Sequence, residues 1–346
     1  MLEENVSVGK LNIKNRICVP PMWIKVYARE DGFVTPENIE HYRGLAQGGA
    51  GLIIQEATCV NKEGMLADVQ MGIWSDEHVE GLKKITEAVH EAGGKIIIQI
   101  HHAGILSTTT DDLVSASDYT IEKRGKSYTA RAMSTEEVEQ TVDDFIKAAH
   151  RAYAAGYDGI ELHGCHSYLL SQFFNKRLNK RTDRYADPLV LVQEIMDGIK
   201  DLDFVKGIRL GCFEPTLEDG IAHARALEAM GMEFLDISGG FGFDCDETVP
   251  QDWKYTEYVY GAMKIKEKVN IPVFAVNGIE TAEQAEAILQ ETGVDMVDIG
   301  RCSLVDPAWA DHALTGQKTG KCLHCPNCYF YGNAKACAGK LMMKKQ

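Results

Sequence analysis

Two imidazoles and a phenol stand close together at His163-Gly164-Cys165-His166 and Tyr168. If this segment turns from a strand into a helix, both rings can point at one oxygen as donors, or both can ligate a metal ion. A phenol two residues further on can then deliver a proton to a carbon or oxygen that the histidines hold. A lone histidine is most often a packed structural residue, whereas a pair with a tyrosine at one strand end favours chemistry. Arg209 stands near the end of another apolar run, where a guanidinium must meet an anion or stay costly to desolvate. That anion is a ligand, or else Glu56 or Asp236. Asn277-Gly278 and Gly300-Arg301 follow the last two apolar runs. Glycine lets backbone N–H groups approach a phosphate closely and Arg301 adds a charge-assisted hydrogen bond, although plain strand-to-helix turns also use glycine. Near the end, Cys322, Cys325, Cys328 and Cys337 form a C-x2-C-x2-C-x8-C spacing. Thiolates so crowded either coordinate a metal or oxidise.

Eight short β-rich runs must position these groups: 16–19, 51–54, 95–100, 159–162, 204–209, 234–237, 272–276 and 296–299. Between them apolar residues recur every three or four positions, as in Val79, Leu82, Ile85 and Val89, or Val138, Val142, Ile146, Ala149 and Tyr153. Ser134 with Glu137 predicts a capping box for the second of these helices. Gly93, Gly156, Gly231 and Gly293 predict helix ends that turn into the next strand. This strand, loop, helix alternation predicts an α/β fold, a (β/α)8 TIM barrel spanning 1–316. The Cys-rich extension, 317–346, is expected to be no independent domain. No G-x-G-x-x-G follows the first run, which speaks against a doubly wound dinucleotide fold. The longest insertion, from His102 to Ser134, is expected to lie over the barrel mouth as a lid or wall. Working groups of such barrels stand at the C-terminal strand ends. That places Pro21-Met22-Trp23, Gln55-Glu56, Gln99 with His101 and His102, His163 with His166, Arg209, Ser238, Asn277-Gly278 and Gly300-Arg301 at one mouth.

Composition narrows the partners. The 346 residues hold 36 Lys and Arg against 51 Asp and Glu, a net charge of −15. Duplex nucleic acid and anionic membrane surfaces would be repelled before contact, so a small-molecule ligand is expected. With 45% apolar and 25% charged residues the chain is neither disordered nor fibrous. No apolar run nears the roughly 18 residues of a membrane span, and the acidic start precedes no signal-like stretch, so a cytoplasmic protein is expected. There the scattered Cys18, Cys59, Cys165, Cys212, Cys245 and Cys302 read as reduced, packed thiols.

Several motifs taken together resemble the Old Yellow Enzyme family, and more narrowly the bacterial NADH:flavin oxidoreductases and the barrel part of 2,4-dienoyl-CoA reductase. They are Asn15-Arg16 through Pro21-Met22, Glu56-Ala57, Gln99 through Gly104, Asp158 through His163 with His166, Tyr168-Leu169, and Gly300-Arg301. Gln172, Asn179, Arg181, Asp183 and Tyr185 follow in the family's order. The resemblance covers about Leu11 to Trp309. It implies an FMN barrel that takes hydride from NAD(P)H and passes it to an activated alkene. It further implies that Pro20, Pro21, Met22, Trp23, Ala57 and Gln99 line the flavin ring, with Arg209 at its N1 and O2 edge and Gly278, Gly300 and Arg301 on the phosphate. His163 and His166 would bind the substrate carbonyl, Lys25 would face substrate, and Tyr168 would protonate the α-carbon. A homo-oligomer is common among such barrels.

Departures accompany the resemblance. Trp23 replaces a usual Thr or Cys, Lys25 a frequent Tyr, and Ala186-Asp187 a usual Gly-Gly. Relatives of the dienoyl-CoA reductase type carry an iron–sulfur cluster near the tail with wider cysteine spacing. Zinc, an iron–sulfur cluster and no metal therefore all stay open for the four tail cysteines, with His324 as an additional candidate ligand. Two other functions stay open as well. One is a metal-dependent barrel hydrolase using His163, His166 and Glu161, disfavoured by the lack of His-x-His on the second run. The other is a flavin-binding barrel without ene-reductase activity.

Overall fold

The computed structural model describes residues 1–123, 125–240 and 249–344. Cys245 lies outside them. Eight parallel strands close a barrel: β1 (Ile17–Val19), β2 (Leu52–Cys59), β3 (Ile96–His101), β4 (Gly159–Gly164), β5 (Val205–Gly211), β6 (Phe234–Ser238), β7 (Val273–Ala275) and β8 (Met296–Asp298). They are joined in sequence order, and β8 returns to β1 with Val297 opposite Ile17. Each predicted run becomes a strand, confirming the (β/α)8 expectation. Helices α1 (Pro36–Gln47), α2 (Val79–Glu91) and α3 (Thr135–Ala154) follow the first three strands. Short α4 (Leu169–Phe174) and α5 (Val190–Gly198) follow β4, and α6 (Leu217–Ala229), α7 (Glu257–Lys266) and α8 (Ala282–Thr292) follow the next three. After β8 come α9 (Arg301–Val305), α10 (Trp309–Leu314) and, in the tail, α11 (Ala338–Met343). The expected capping box of α3 is present, with Glu137 N donating to Ser134 Oγ at 3.2 Å and Ser134 N donating to Glu137 Oε2 at 2.7 Å. Such a cap contributes about 1 kcal/mol.

Strand parity decides which residues meet the ligand. Successive side chains alternate faces, and two apolar clusters separate accordingly. Ile53, Ile96, Ile98, Ile160, Leu162, Ile208 and Leu235 pack outward with the helices. Cys18, Leu52, Ile54, Ile97, Val205, Phe234, Phe274 and Met296 form a second cluster within the barrel. Two residues further along the same inward rows stand Gln99, Asp236 and Asp298, and further still His101 and Ser238. The lumen is thus apolar at its base and polar towards its mouth. Phe234 and Phe274 stack at the base with centroids 5.0 Å apart. Gly207 makes room for them, since a Cβ there would lie 2.1 Å from the Phe234 ring.

Three features carry too little periodic signal to be predicted. A hairpin of Val6–Val8 and Leu11–Ile13 adds Val6, Val8, Leu11 and Ile13 to the lumen cluster and closes the base. The insertion after β3 folds into a small sheet of Val114–Ser115, Tyr119–Lys123 and Lys126–Ala132. The tail lies against the barrel, where Phe330 and Ala334 pack with Ile24 and Leu304, and Gly320 N donates to Asp306 Oδ2 at 2.8 Å.

One buried imidazole makes this packing sensitive to pH. His223 of α6 is 8% exposed and lies 5.2 Å from the Phe174 ring. Burial lowers it to about 4 from an ordinary value near 6.5. Above about pH 6.5 both folded and unfolded chains hold it neutral; as pH falls towards 4 only the unfolded chain gains a proton, so stability is lost in that window. The loss amounts to about 3 kcal/mol at most. His223→Leu is expected to flatten the fall in stability between pH 6.5 and 4 in denaturant titrations, and an unchanged profile would contradict this account.

Candidate active site

Arg209, buried on β5, stands with its Nε 3.1 Å from Asp236 Oδ2 on β6. Of the three partners open to it in the sequence, Asp236 is therefore one it meets, and Glu56 is engaged elsewhere. Glu161 and Asp298 share the same polar layer, both fully or almost fully buried. Burial pushes both carboxyls well up, and the neighbouring Asp236 adds to the shift while Arg209 opposes it. Burial also raises Asp236, with Arg209 pulling it back. Gln99 Nε2 donates to Glu161 Oε1 at 2.7 Å, bracing β3 against β4.

Nearer the mouth, His163 and His166 do not project as two unattached donors. Their rings belong to a hydrogen-bonded series. His101 Nδ1 lies 3.0 Å from His163 Nδ1, His163 Nε2 lies 3.1 Å from His166 Nδ1, and His166 Nε2 lies 2.7 Å from Ser238 Oγ. Both His166 and Ser167 have positive φ, 60° and 66°. That backbone lets the chain leave β4 and bring Tyr168 back against the series, edge-on at 4.5 Å from the His101 ring and 4.7 Å from the His163 ring. Burial pushes His101 down to about 3 and His163 well below its ordinary value, so both are neutral imidazoles. His163, Cys165 and His166 also bring one candidate ligand atom each within 4.8 Å of one another. Burial raises the Cys165 thiol well up, which keeps it protonated.

Two cavities meet these groups. The first, about 410 Å³, is lined by Pro20, Pro21, Met22, His166, Arg209, Gly278, Gly300 and Arg301 among others. Asn277 and Gly278 both have positive φ, 85° and 72°, in the turn after β7. The second, about 530 Å³, is lined by Trp23, Lys25, Tyr128, Tyr168 and Tyr331, with Leu66, Leu106 and neighbouring residues. Tyr128 comes from the insertion, which is therefore a wall of this cavity as expected. Ala57 and Gln99 line neither space. Glu56 anchors the loop that carries Trp23 and Lys25: its Oε2 accepts from Ile24 N at 2.7 Å, and its Oε1 from Tyr42 Oη at 3.2 Å.

The tail cysteines do not gather into one ligand group among the described residues. No three of Cys322, Cys325, Cys328 and Cys337 bring their sulfurs within 4.8 Å of one another among the described residues. His324 is drawn to the barrel instead, where its Nδ1 meets Arg301 Nη1 at 3.0 Å and its Nε2 meets Glu280. Tyr331 of the same tail reaches the second cavity, 6.4 Å from the Trp23 ring. Neither Tyr331 nor Tyr128 was identified from the sequence, because both arrive through long-range packing. His101 is placed at the mouth by its position at a strand end, but its link to His163 carries no signal in the sequence.

A parallel barrel whose glycine-edged cavity carries Arg209 and Arg301, with Glu280 and Asp298 also in its lining, beside a histidine and tyrosine cluster, has the makings of a cofactor-using barrel enzyme. The chain belongs to the NADH:flavin oxidoreductase / NADH oxidase family, whose model matches residues 2–319. It is 36% identical to an NADPH dehydrogenase of Bacillus subtilis over 315 residues, 88% of this chain and 91% of that protein. It is 35% identical to an NADH oxidase of Thermoanaerobacter brockii over 338 residues, 92% of this chain but only 52% of that protein. The solved structure of an Old Yellow Enzyme homologue from Zymomonas mobilis superposes with a TM-score of 0.79 at 26% identity, covering 96% of this chain and 99% of that one. The protein is thus a flavin-dependent oxidoreductase. Its first cavity fits FMN on the chemistry of its donors: a buried guanidinium for an electron-rich ring edge, and Gly278, Gly300 and Arg301 together for a phosphate.

Removing the Arg209 charge strands a buried carboxylate. Arg209→Met is expected to cost roughly 3–5 kcal/mol of stability and to weaken FMN retention, read by denaturation and by the flavin remaining after gel filtration. Wild-type stability together with wild-type flavin content would show that the pair has neither role.

Proposed function

We propose that this chain is an ene-reductase, reducing the C=C bond of an α,β-unsaturated carbonyl compound with NAD(P)H as reductant. The observation that carries this reading is the seat of Tyr168, edge-on to His101 and His163 and lining a cavity of its own. FMN, when bound, supplies a centre that accepts hydride from the nicotinamide and yields it to the alkene. Pro20, Pro21 and Met22, which line the first cavity, would hold its ring, Arg209 the edge where negative charge gathers, and Gly278, Gly300 and Arg301 its phosphate, whereas Ala57 and Gln99 stand off that cavity and Trp23 faces the second one.

The remaining steps fall to side chains of this chain. His163 and His166, by hydrogen bonding to the substrate oxygen, draw electron density from the β-carbon. To do so they exchange a bond within the imidazole series for one to substrate. Tyr168 gives its phenolic proton to the α-carbon. Trp23, Tyr128 and Tyr331 wall the substrate, and Lys25 stands at the rim. No described helix is long and apolar enough to cross a membrane. No step is assigned to the tail cysteines, and metal analysis of the purified protein distinguishes zinc, an iron–sulfur cluster and neither.

Anaerobic NAD(P)H is expected to bleach the flavin bands, and an added enone to restore them. Tyr168→Phe should keep the bleaching and slow the restoration by about 100-fold or more. A protein that is colourless and takes up no FMN would overturn the assignment, and full-rate restoration in Tyr168→Phe would remove its proton donor. Tyr331→Ala should raise KM for an aryl-substituted enone about 3–10-fold through lost ring contact, leaving bleaching by NAD(P)H unchanged. An unaltered KM would place Tyr331 outside the substrate's reach.

A further inference from the structure

His101 occupies a place in the site that the catalytic roles above do not use. Its side chain is fully buried, and its Nε2 has no hydrogen-bond partner among the described residues. Its other nitrogen faces Nδ1 of His163 at 3.0 Å. The juxtaposition follows from strand register. Gln99 on β3 pairs with Glu161 on β4, and His101 and His163 lie two residues further along those rows, on the same inward face. The adjacent His102 has a different task, its Nδ1 accepting from Gly104 N at 3.0 Å.

A neutral imidazole carries one N–H and one bare nitrogen, so each contact in the series constrains the next. Two arrangements satisfy the contact between the Nδ1 atoms. In the first, His101 donates from Nδ1. His163 then has a bare Nδ1 and carries its proton on Nε2, while the unpartnered Nε2 of His101 is a bare lone pair. In the second, His163 donates from Nδ1 and its Nε2 is bare. The unpartnered Nε2 of His101 is then a buried N–H with no acceptor. Orphaned buried N–H groups are rarer than unmet acceptors, which favours the first arrangement. The consequence reaches the substrate: only in the first arrangement can His163 donate from Nε2, the nitrogen on the His166 side.

We infer that His101 is a positioning residue that fixes His163 as its Nε2–H tautomer, and so makes it a hydrogen-bond donor. Its catalytic consequence rests on the ene-reductase assignment, but the tautomer itself does not. A hydroxyl or amide could also donate at this position, whereas a hydrocarbon could not.

The test is nitrogen NMR of protein carrying ¹⁵N-labelled histidine, with the His163 ring signals assigned from their loss in His163→Asn. The wild-type ring is expected to be protonated at Nε2 and bare at Nδ1. In His101→Phe that preference should be lost and kcat for an enone should fall about tenfold, the order expected for one hydrogen bond. His101→Asn, whose amide can donate, should recover most of both, and flavin bleaching by NAD(P)H should be unchanged throughout. A wild-type His163 protonated at Nδ1 would overturn the inference without any variant having to fold. An unchanged His163 tautomer in a folded His101→Phe would overturn it equally. If the tautomer responds as expected but no enone is reduced by the wild type, the inference stands and the substrate assignment fails.

Discussion

Arg209 and Asp236 face each other at 3.1 Å, both almost wholly buried, beside the cavity that Arg209 also lines. Neither charge can be removed without stranding the other, because an isolated ion in such surroundings costs several kcal/mol. The neighbouring Glu161 and Asp298 make the constraint stricter, since one guanidinium cannot neutralise three carboxylates. Burial and the Asp236 charge push those two acids well up, towards their protonated forms. The polar layer ties β4, β5, β6 and β8 at one level. Above it stand the imidazoles and the ligand cavity; below it lies hydrocarbon. The cation proposed to meet the flavin is thus part of the barrel's internal architecture.

The mouth is held by a second buried acid. Glu56 is fully buried and raised to about 8 by that burial, against the opposing hydrogen bonds from Ile24 N and Tyr42. Strand register shifts between Gln55 and Thr58, so β2 breaks its regular pairing just where Glu56 emerges. Such an irregularity re-aims a side chain beside a site. Here it turns a strand residue towards the loop after β1, fixing the backbone next to Trp23. Trp23 thus stands next to a backbone that Glu56 holds through Ile24 N, and the tail adds Tyr331 against it.

Much of this was legible in the sequence because it is local. Each barrel strand is a short apolar run, and the step of two along 97, 99 and 101 already places Gln99 and His101 inside. His163, His166, Tyr168 and Arg209 follow from the same argument, since polar residues at strand ends are what a barrel mouth is made of. The N-terminal hairpin shows correct alternation but spans only three residues per strand, too short to stand out. The tail is a different case. Its cysteine spacing raises the question of a metal but says nothing of where the segment lies, which is set by Phe330, Ala334, His324 and Tyr331, whose partners lie far away in sequence. The histidine series was hidden because a spacing of three in one segment says nothing about a ring on the neighbouring strand.

The junction of β8 with β1 joins the two ends of the barrel, Val297 beside Ile17. No local contact can substitute for it, and the base hairpin packs on residues as distant as Phe274 and Met296. Closure on the ribosome must therefore wait until nearly the whole barrel has been made, leaving β1 with an unsatisfied edge in the interval. For a chain of this topology the exposed first strand, rather than any finished surface, is where a nascent molecule is most open to misassociation and to the protection of a chaperone.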